Sequence, residues 1–156
     1  IKKLFEVMED EYYRRGKIIS KRKIDYYMRK QDETIFKIIF GIFDLSIEND
    51  KLPTYFGIFT KIDSLLDIKE DLKIGLINIS LEDCEKYNID TKSLLVKKHL
   101  RNIPGLVDWY DNEVEETFKV WNKAHSLLSE EFLKNKKILL YFYQHLSTLK
   151  RSNFKI

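Results

Sequence analysis

Small and turn-forming residues are scarce in this 156-residue chain, which has five glycines, two prolines and a single alanine, Ala124. A β-sandwich or barrel needs a turn roughly every 8–12 residues. So few punctuating residues argue against those folds and for helices. One cysteine, Cys84, excludes an internal disulfide framework and any cysteine-rich zinc site. The longest strongly apolar stretch, Ile35 to Phe43, is interrupted by Lys37 and is far shorter than the ~20 residues that span a bilayer. No sign of charge dominates: 28 Lys and Arg are interleaved with 25 Asp and Glu, for a net charge of +3. That balance gives no reason to expect DNA binding. The first residue is Ile1 rather than Met, as expected of a processed or partial product, and any targeting segment would lie outside the chain.

What is present suits a globular core. Hydrophobic residues make up 44% and charged residues 34%, with nine Tyr, ten Phe and two Trp. The length predicts one domain, residues 1–156, and the apolar spacing predicts an all-α bundle. A first helix runs from Leu4 to Arg15 and stops near Gly16. Ser20 is the expected N-cap of a long second helix whose stripe is Ile24, Tyr27, Ile35, Ile38, Ile39, Ile42 and Phe43. After a polar loop over Ser46 to Lys51, Pro53 opens a third helix with Phe56, Phe59, Ile62, Leu65 and Leu66 on its apolar side. Ile74 to Ile79 reads as an extended connector. Ser80 and Asp83 form a capping box for a short helix to Tyr87, and Asp90 opens another turn through Leu95. Pro104 starts a long helix carrying Val107, Tyr110, Val114, Phe118, Trp121 and Leu128. Ser129 caps the last segment, with Ile138, Phe142, His145, Leu146 and Leu149 as its stripe.

Chemistry concentrates in Asp67-Ile68-Lys69-Glu70-Asp71. Asp67 and Asp71 are four apart on an expected helix and so share a face, with Glu70 beside them. Mg²⁺ takes oxygen ligands, commonly one or two carboxylates together with substrate phosphates, so such a face can hold a metal that bridges to a diphosphate. These acids fall near the expected end of the third helix, where the macrodipole disfavours each by ~0.3–1 kcal/mol. A cation, or Lys61, Lys69 and Lys73, is needed to offset that. The other reactive residue types point elsewhere. Cys84 has no His or Asp at nucleophile spacing and reads as a small structural thiol. His99, His125 and His145 lack metal-ligand spacing. The densest basic stretch, Lys2, Lys3, Arg14, Arg15, Lys17, Lys21, Arg22 and Lys23, reads first as a solvated helix end and second as a contact for anionic membrane or RNA.

The order of features around the acidic run resembles the squalene/phytoene synthase family, all-α enzymes that join prenyl diphosphates head to head. Asp67, Glu70 and Asp71 match that family's second aspartate-rich motif, Asp-x-x-Glu-Asp. Gly75, Ile77 and Glu82 keep the frame that follows it, as do Tyr87-Asn88-Ile89 and Leu94. Ser20, Ile24 and Tyr27 sit like the start of the substrate-lining helix, and Leu149 to Phe154 resembles the terminal helix and exit. The resemblance spans nearly the whole chain and covers about the C-terminal two-thirds of a typical member. It implies a truncated helical bundle of the isoprenoid (terpenoid) synthase type.

The departures from the family shape the functional expectation. The first aspartate-rich motif falls upstream of Ile1. The family's Gln, Asn and Arg become Thr60, Asp63 and Leu66, and its Arg, Tyr and Pro become Leu76, Asn78 and Ser80. Its Ala-Gly-x-Val-Gly becomes Asp32-Glu33-Thr34-Ile35-Phe36. Losing a fixed bidentate phosphate donor and the small residues that make room for a prenyl chain points to an eroded site. The chain is therefore expected to be a non-catalytic relative with no cofactor, acting as a structural or assembly subunit among protein partners. It is similar in character to the family's mitochondrial branch, which resembles respiratory complex I assembly factors, so a mitochondrial location is implied by resemblance alone. Trp109 and Tyr110 are the expected partner surface. In the rival reading the chain is a Mg²⁺-dependent prenyltransferase, with metal on Asp67 and Asp71, Glu70 in support, and Lys61 or Lys73 on the phosphates of a prenyl diphosphate. A third is an isoprenoid- or lipid-binding module, which requires an open apolar cavity between the second and third helices.

Overall fold

The computed structural model describes residues 2–43, 57–96, 100–125 and 136–151. Within them the chain is helical, and no strand is present among the described residues. The helices are α1 (Lys2–Arg14), α2 (Lys21–Phe43), α3 (Ile58–Leu66), α4 (Ile68–Lys73), α5 (Leu81–Lys86), α6 (Thr91–Val96), α7 (Leu106–His125) and α8 (Lys136–Arg151), with a 3₁₀ turn at Leu100–Asn102 before α7. The all-α expectation holds.

Helix α3 is the hub, packed against α2, α7 and α8. Its sequence explains the position: Ile58, Ile62 and Leu65 recur at helical spacing and are buried, Ile62 completely. Around it Ile77, Ile79, Leu94, Ile103, Leu106, Trp109 and Leu149 close the core.

A helix placed so deeply must satisfy its first N–H groups without water. The N-cap residue, Gly57, adopts φ 97° and offers no side-chain cap. Asp32 of α2 supplies the acceptors instead. Its carboxylate takes hydrogen bonds from the backbone N–H groups of Gly57 (2.6 Å), Phe59 (3.0 Å) and Thr60 (2.9 Å) and from the Thr60 hydroxyl (2.5 Å). Burial pushes this carboxyl up to about 6 against the pull of the four donors, so it is still mostly ionised at neutral pH.

The stripe expected on α2 is corrected by this contact. The buried line runs Ile24, Met28, Asp32, Phe36, each four residues from the last. Tyr27 is half-buried, while Ile35 and Ile38 are exposed. Delivering Asp32 to the start of α3 fixes the rotation of α2, and the isoleucines turn outward. The side chains of Ile39, Ile42 and Phe43 lie outside the described residues, as do Ser46 to Lys51, Pro53, Phe56, Leu128, Ser129 and the side chains of Ile138 and Phe142.

Several helix ends match the sequence reading. The Ser80 Oγ accepts from the Asp83 N–H at 3.0 Å, opening α5; the connector before it begins with a turn at Ile74 and Gly75 rather than as an extended stretch. The Asp90 carboxylate accepts from the Lys92 N–H. Helix α7 begins at Leu106, two residues later than expected, because Gly105 takes φ 73° and its carbonyl accepts from the Trp109 N–H. Its buried line is Leu106, Trp109, Tyr110, Glu113, Thr117, Trp121 and Ala124, with Val107, Val114 and Phe118 only partly buried against the core.

Two substitutions test this architecture. Asp32→Ala leaves the start of α3 without acceptors and is expected to lower unfolding free energy by about 2–4 kcal/mol in urea titrations. Gly105→Ala and Gly16→Ala separate crowding from backbone strain, since both glycines have positive φ. At Gly16 an added Cβ meets nothing, whereas at Gly105 it overlaps the Tyr87 carbonyl oxygen. The same urea titrations are expected to give a loss of about 1–2 kcal/mol for Gly16→Ala and a clearly larger one for Gly105→Ala.

Candidate functional site

The acidic motif straddles a helix break. Asp67, with φ −98° and ψ 11°, ends α3 and precedes α4. The Asp67 N–H donates to the Asp63 carbonyl at the end of α3, and the Asp71 N–H to the Asp67 carbonyl at the start of α4, both at 2.8 Å. This corrects the expectation that the acids oppose a helix dipole. Glu70 and Asp71 occupy the first turn of α4, where negative charge faces unsatisfied N–H groups.

The three carboxylates lead to three different places. Asp67 is exposed. Glu70 is exposed and pairs loosely with Lys73 at 3.6 Å. Asp71 is half-buried and accepts from the Asn78 side-chain amide at 2.8 Å. The Asn78 side-chain amide oxygen in turn accepts from Arg14 Nη2 at 2.7 Å. Burial, then the neighbouring Asp67 charge, raises the Asp71 carboxyl to about 6, opposed by the Asn78 bond. Among the described residues no group of three or more His, Cys, Asp or Glu side chains is arranged to hold a metal ion.

Of the two lysines expected on the phosphates, Lys61 forms an ion pair with Glu113 of α7, whereas Lys73 pairs with Glu70 of the acidic run itself. The expected partner surface is also corrected. Trp109 is 1% exposed and Tyr110 3%, because the α7 face that carries them packs into the core. The Lys61 ammonium lies 5.8 Å from the Trp109 ring centroid, within cation–π range. Of the basic stretch, Arg14 is buried and Lys21 is drawn into contacts with α5 and α7, which shortens any continuous cationic face. Cys84 is buried, and burial pushes its thiol up to about 11, in keeping with an inert structural role.

A cleft of about 680 Å³ lies between α2, α3, α5 and α7. A chain of alternating charges borders it. Lys21 Nζ lies 3.2 Å from Asp83 and 3.8 Å from Glu113, and Glu113 also pairs with Lys61. Burial acts to lower the Lys21 pKa, but the Glu113 and Asp83 carboxylates outweigh it and hold it raised. Asp25, on the same wall, is raised by burial despite Lys61 and Lys21. Sequence reading missed this network. Its signal was faint: Glu113 falls on the buried line of α7 at helical spacing from Trp109 and Thr117, as Asp32 does on α2. The cleft sits between the second and third helices, where a prenyl tail would need an apolar cavity. Seven charged side chains, among them Asp25, Arg29, Lys61 and Glu116, line it instead.

No protein-family model matches the chain, and no match is found among curated proteins or among solved structures.

The Asp71 environment has a pH consequence. Its folded value of about 6 exceeds the ordinary 3.8. Its favourable contribution to folding is therefore full below about pH 4 and is lost as pH rises through about 6. Asp71→Asn keeps an acceptor for Asn78 and removes the titration. Its melting temperature relative to wild type is expected to rise between about pH 4 and pH 7. The wild-type Asp71 carboxyl carbon is expected to titrate by NMR with a midpoint of about 6. A relative melting temperature that falls over that window would show instead that the charged form stabilises the fold.

Proposed function

We propose that this chain is a non-catalytic helical domain of the terpenoid-synthase type, working as a structural or assembly subunit among protein partners. Its family relation and its mitochondrial location rest on the sequence resemblance to squalene/phytoene synthases. The observation that carries the non-catalytic reading is the fate of Asp71. The last acid of the motif accepts from Asn78 and is linked through it to Arg14, while Glu70 faces Lys73 at the surface. The Asn78 bond takes one lone pair of this carboxylate and fixes its direction, and the Arg14 guanidinium adds a positive charge close by that opposes a second cation there.

Two further features favour a protein-binding role. Helix α1 exposes Phe5 (63%), Met8 (57%) and Tyr12 (67%) at three- and four-residue spacing, while Val7 is its buried apolar residue. An apolar stripe facing water is a surface that a protein partner covers. The cleft beside α2 and α3 is too highly charged to suit a hydrocarbon tail.

Calorimetric titration with Mg²⁺ and a non-hydrolysable farnesyl diphosphate analogue tests the proposal. No saturable binding is expected, and Asp67→Ala and Asp71→Ala are expected to leave the flat titration unchanged. Saturable, Mg²⁺-dependent binding that either substitution abolishes would replace this reading with the prenyltransferase one.

A further inference from the structure

Arg14 closes α1 and is only 7% exposed. Its Nη2 donates to Asn78 Oδ1, the side-chain amide oxygen, at 2.7 Å, and its guanidinium carbon lies 5.6 Å from the Tyr27 ring centroid. The two remaining nitrogens, Nε and Nη1, are buried and meet no acceptor among the described residues. A charged donor sealed from water and left unpaired is strongly destabilising. Burial accordingly lowers the Arg14 pKa, against the pull of Glu11 and Asp71.

Arg14 also lines a small cavity between α1 and α2, about 10 Å³ in volume, whose other polar walls are Asp10, Glu11, Tyr27, Lys30 and Gln31. A volume on that scale admits about one water molecule and nothing larger. The charges on its walls narrow the occupant further. An anion would face Asp10 and Glu11, and a cation would face Arg14 and Lys30. A neutral molecule that both accepts and donates can bond to walls of either sign. Asp10 keeps one further lone pair for such a donor beyond the bond it takes from Lys30 at 2.7 Å.

We propose that this cavity is a binding site for one structural water, which accepts from Arg14 Nε or Nη1 and donates to the carboxylates of Glu11 or Asp10. The water extends the Asp71–Asn78–Arg14 chain into the α1–α2 interface and seats α1 on the bundle. This inference is independent of the proposed function.

A high-resolution crystal structure of the whole chain tests it. The expected result is one oxygen peak at about 3 Å from Arg14 Nε or Nη1, absent in Arg14→Met, where the cavity loses its donor wall. Direct bonding of either nitrogen to Glu11 or Asp10, an unfilled cavity, or a bound ion would overturn the proposal. Should Arg14→Met fail to fold, wild-type protein with ¹⁵N-labelled arginine provides a second readout. A dipolar cross-peak between the Arg14 Nε proton and a long-lived water is expected, and its absence would count against the site.

Discussion

A carboxylate with no exposed surface stands at the middle of this helical bundle, and its hydrogen bonds determine where the central helix begins. Asp32 holds three backbone N–H groups and one hydroxyl at the start of α3. Two large effects oppose each other there. Taking the charge out of water costs several kcal/mol, and each charge-assisted bond returns about 1.5–3 kcal/mol. Burial comes out ahead on the carboxyl's proton affinity, yet the anion persists at neutral pH, where it meets the positive end of the helix. Because α3 touches α2, α7 and α8, the rotation and depth of the surrounding helices depend on that one cap.

The same device recurs with different residues. Glu113 lies on the buried face of α7 and gathers Lys21 and Lys61 from α2 and α3. Arg14, buried at the end of α1, reaches Asn78 in the connector before α5. Gly16 and Gly75 meet backbone to backbone beside it, with the Gly16 N–H donating to the Gly75 carbonyl at 2.7 Å. Each buried charge ties together segments far apart in sequence. Such contacts add little net stability compared with apolar packing, but they penalise any alternative register that strands the charge. A chain with one alanine and many bulky residues has many ways to pack loosely, so polar ties of this kind select one arrangement.

The local determinants were legible in the sequence, and the long-range ones were not. Helical class, the Ser80 capping box and the stop near Gly16 all follow from residues adjacent in the chain. The facing of α2 was misread because periodicity counts apolar residues. The true buried line includes Asp32, whose reason for burial is a partner 25 residues away. Trp109 and Tyr110, expected as a partner surface, lie instead on the face of α7 that enters the core, while Asp108 and Asp111 beside them stay exposed. The charged cleft left only a faint pattern within single helices, such as Lys21, Asp25 and Arg29 at four-residue spacing, since the cleft itself is assembled from four helices distant in the chain.

The acidic motif shows how a functional signature and a structural one overlap. Asp67 sits where α3 stops and α4 starts, a position that favours a short polar side chain over an apolar one. Glu70 and Asp71 fall in the first turn of α4, the place in a helix most hospitable to acids. Asp71 then faces Asn78 because the left-handed Gly75 folds the chain back over α4, with the Leu76 N–H donating to the Asp71 carbonyl at 2.8 Å. Each acid therefore has a local reason for its place that invokes no ligand. An acid hydrogen-bonded through an amide to a buried arginine is suited to holding α1 against the connector.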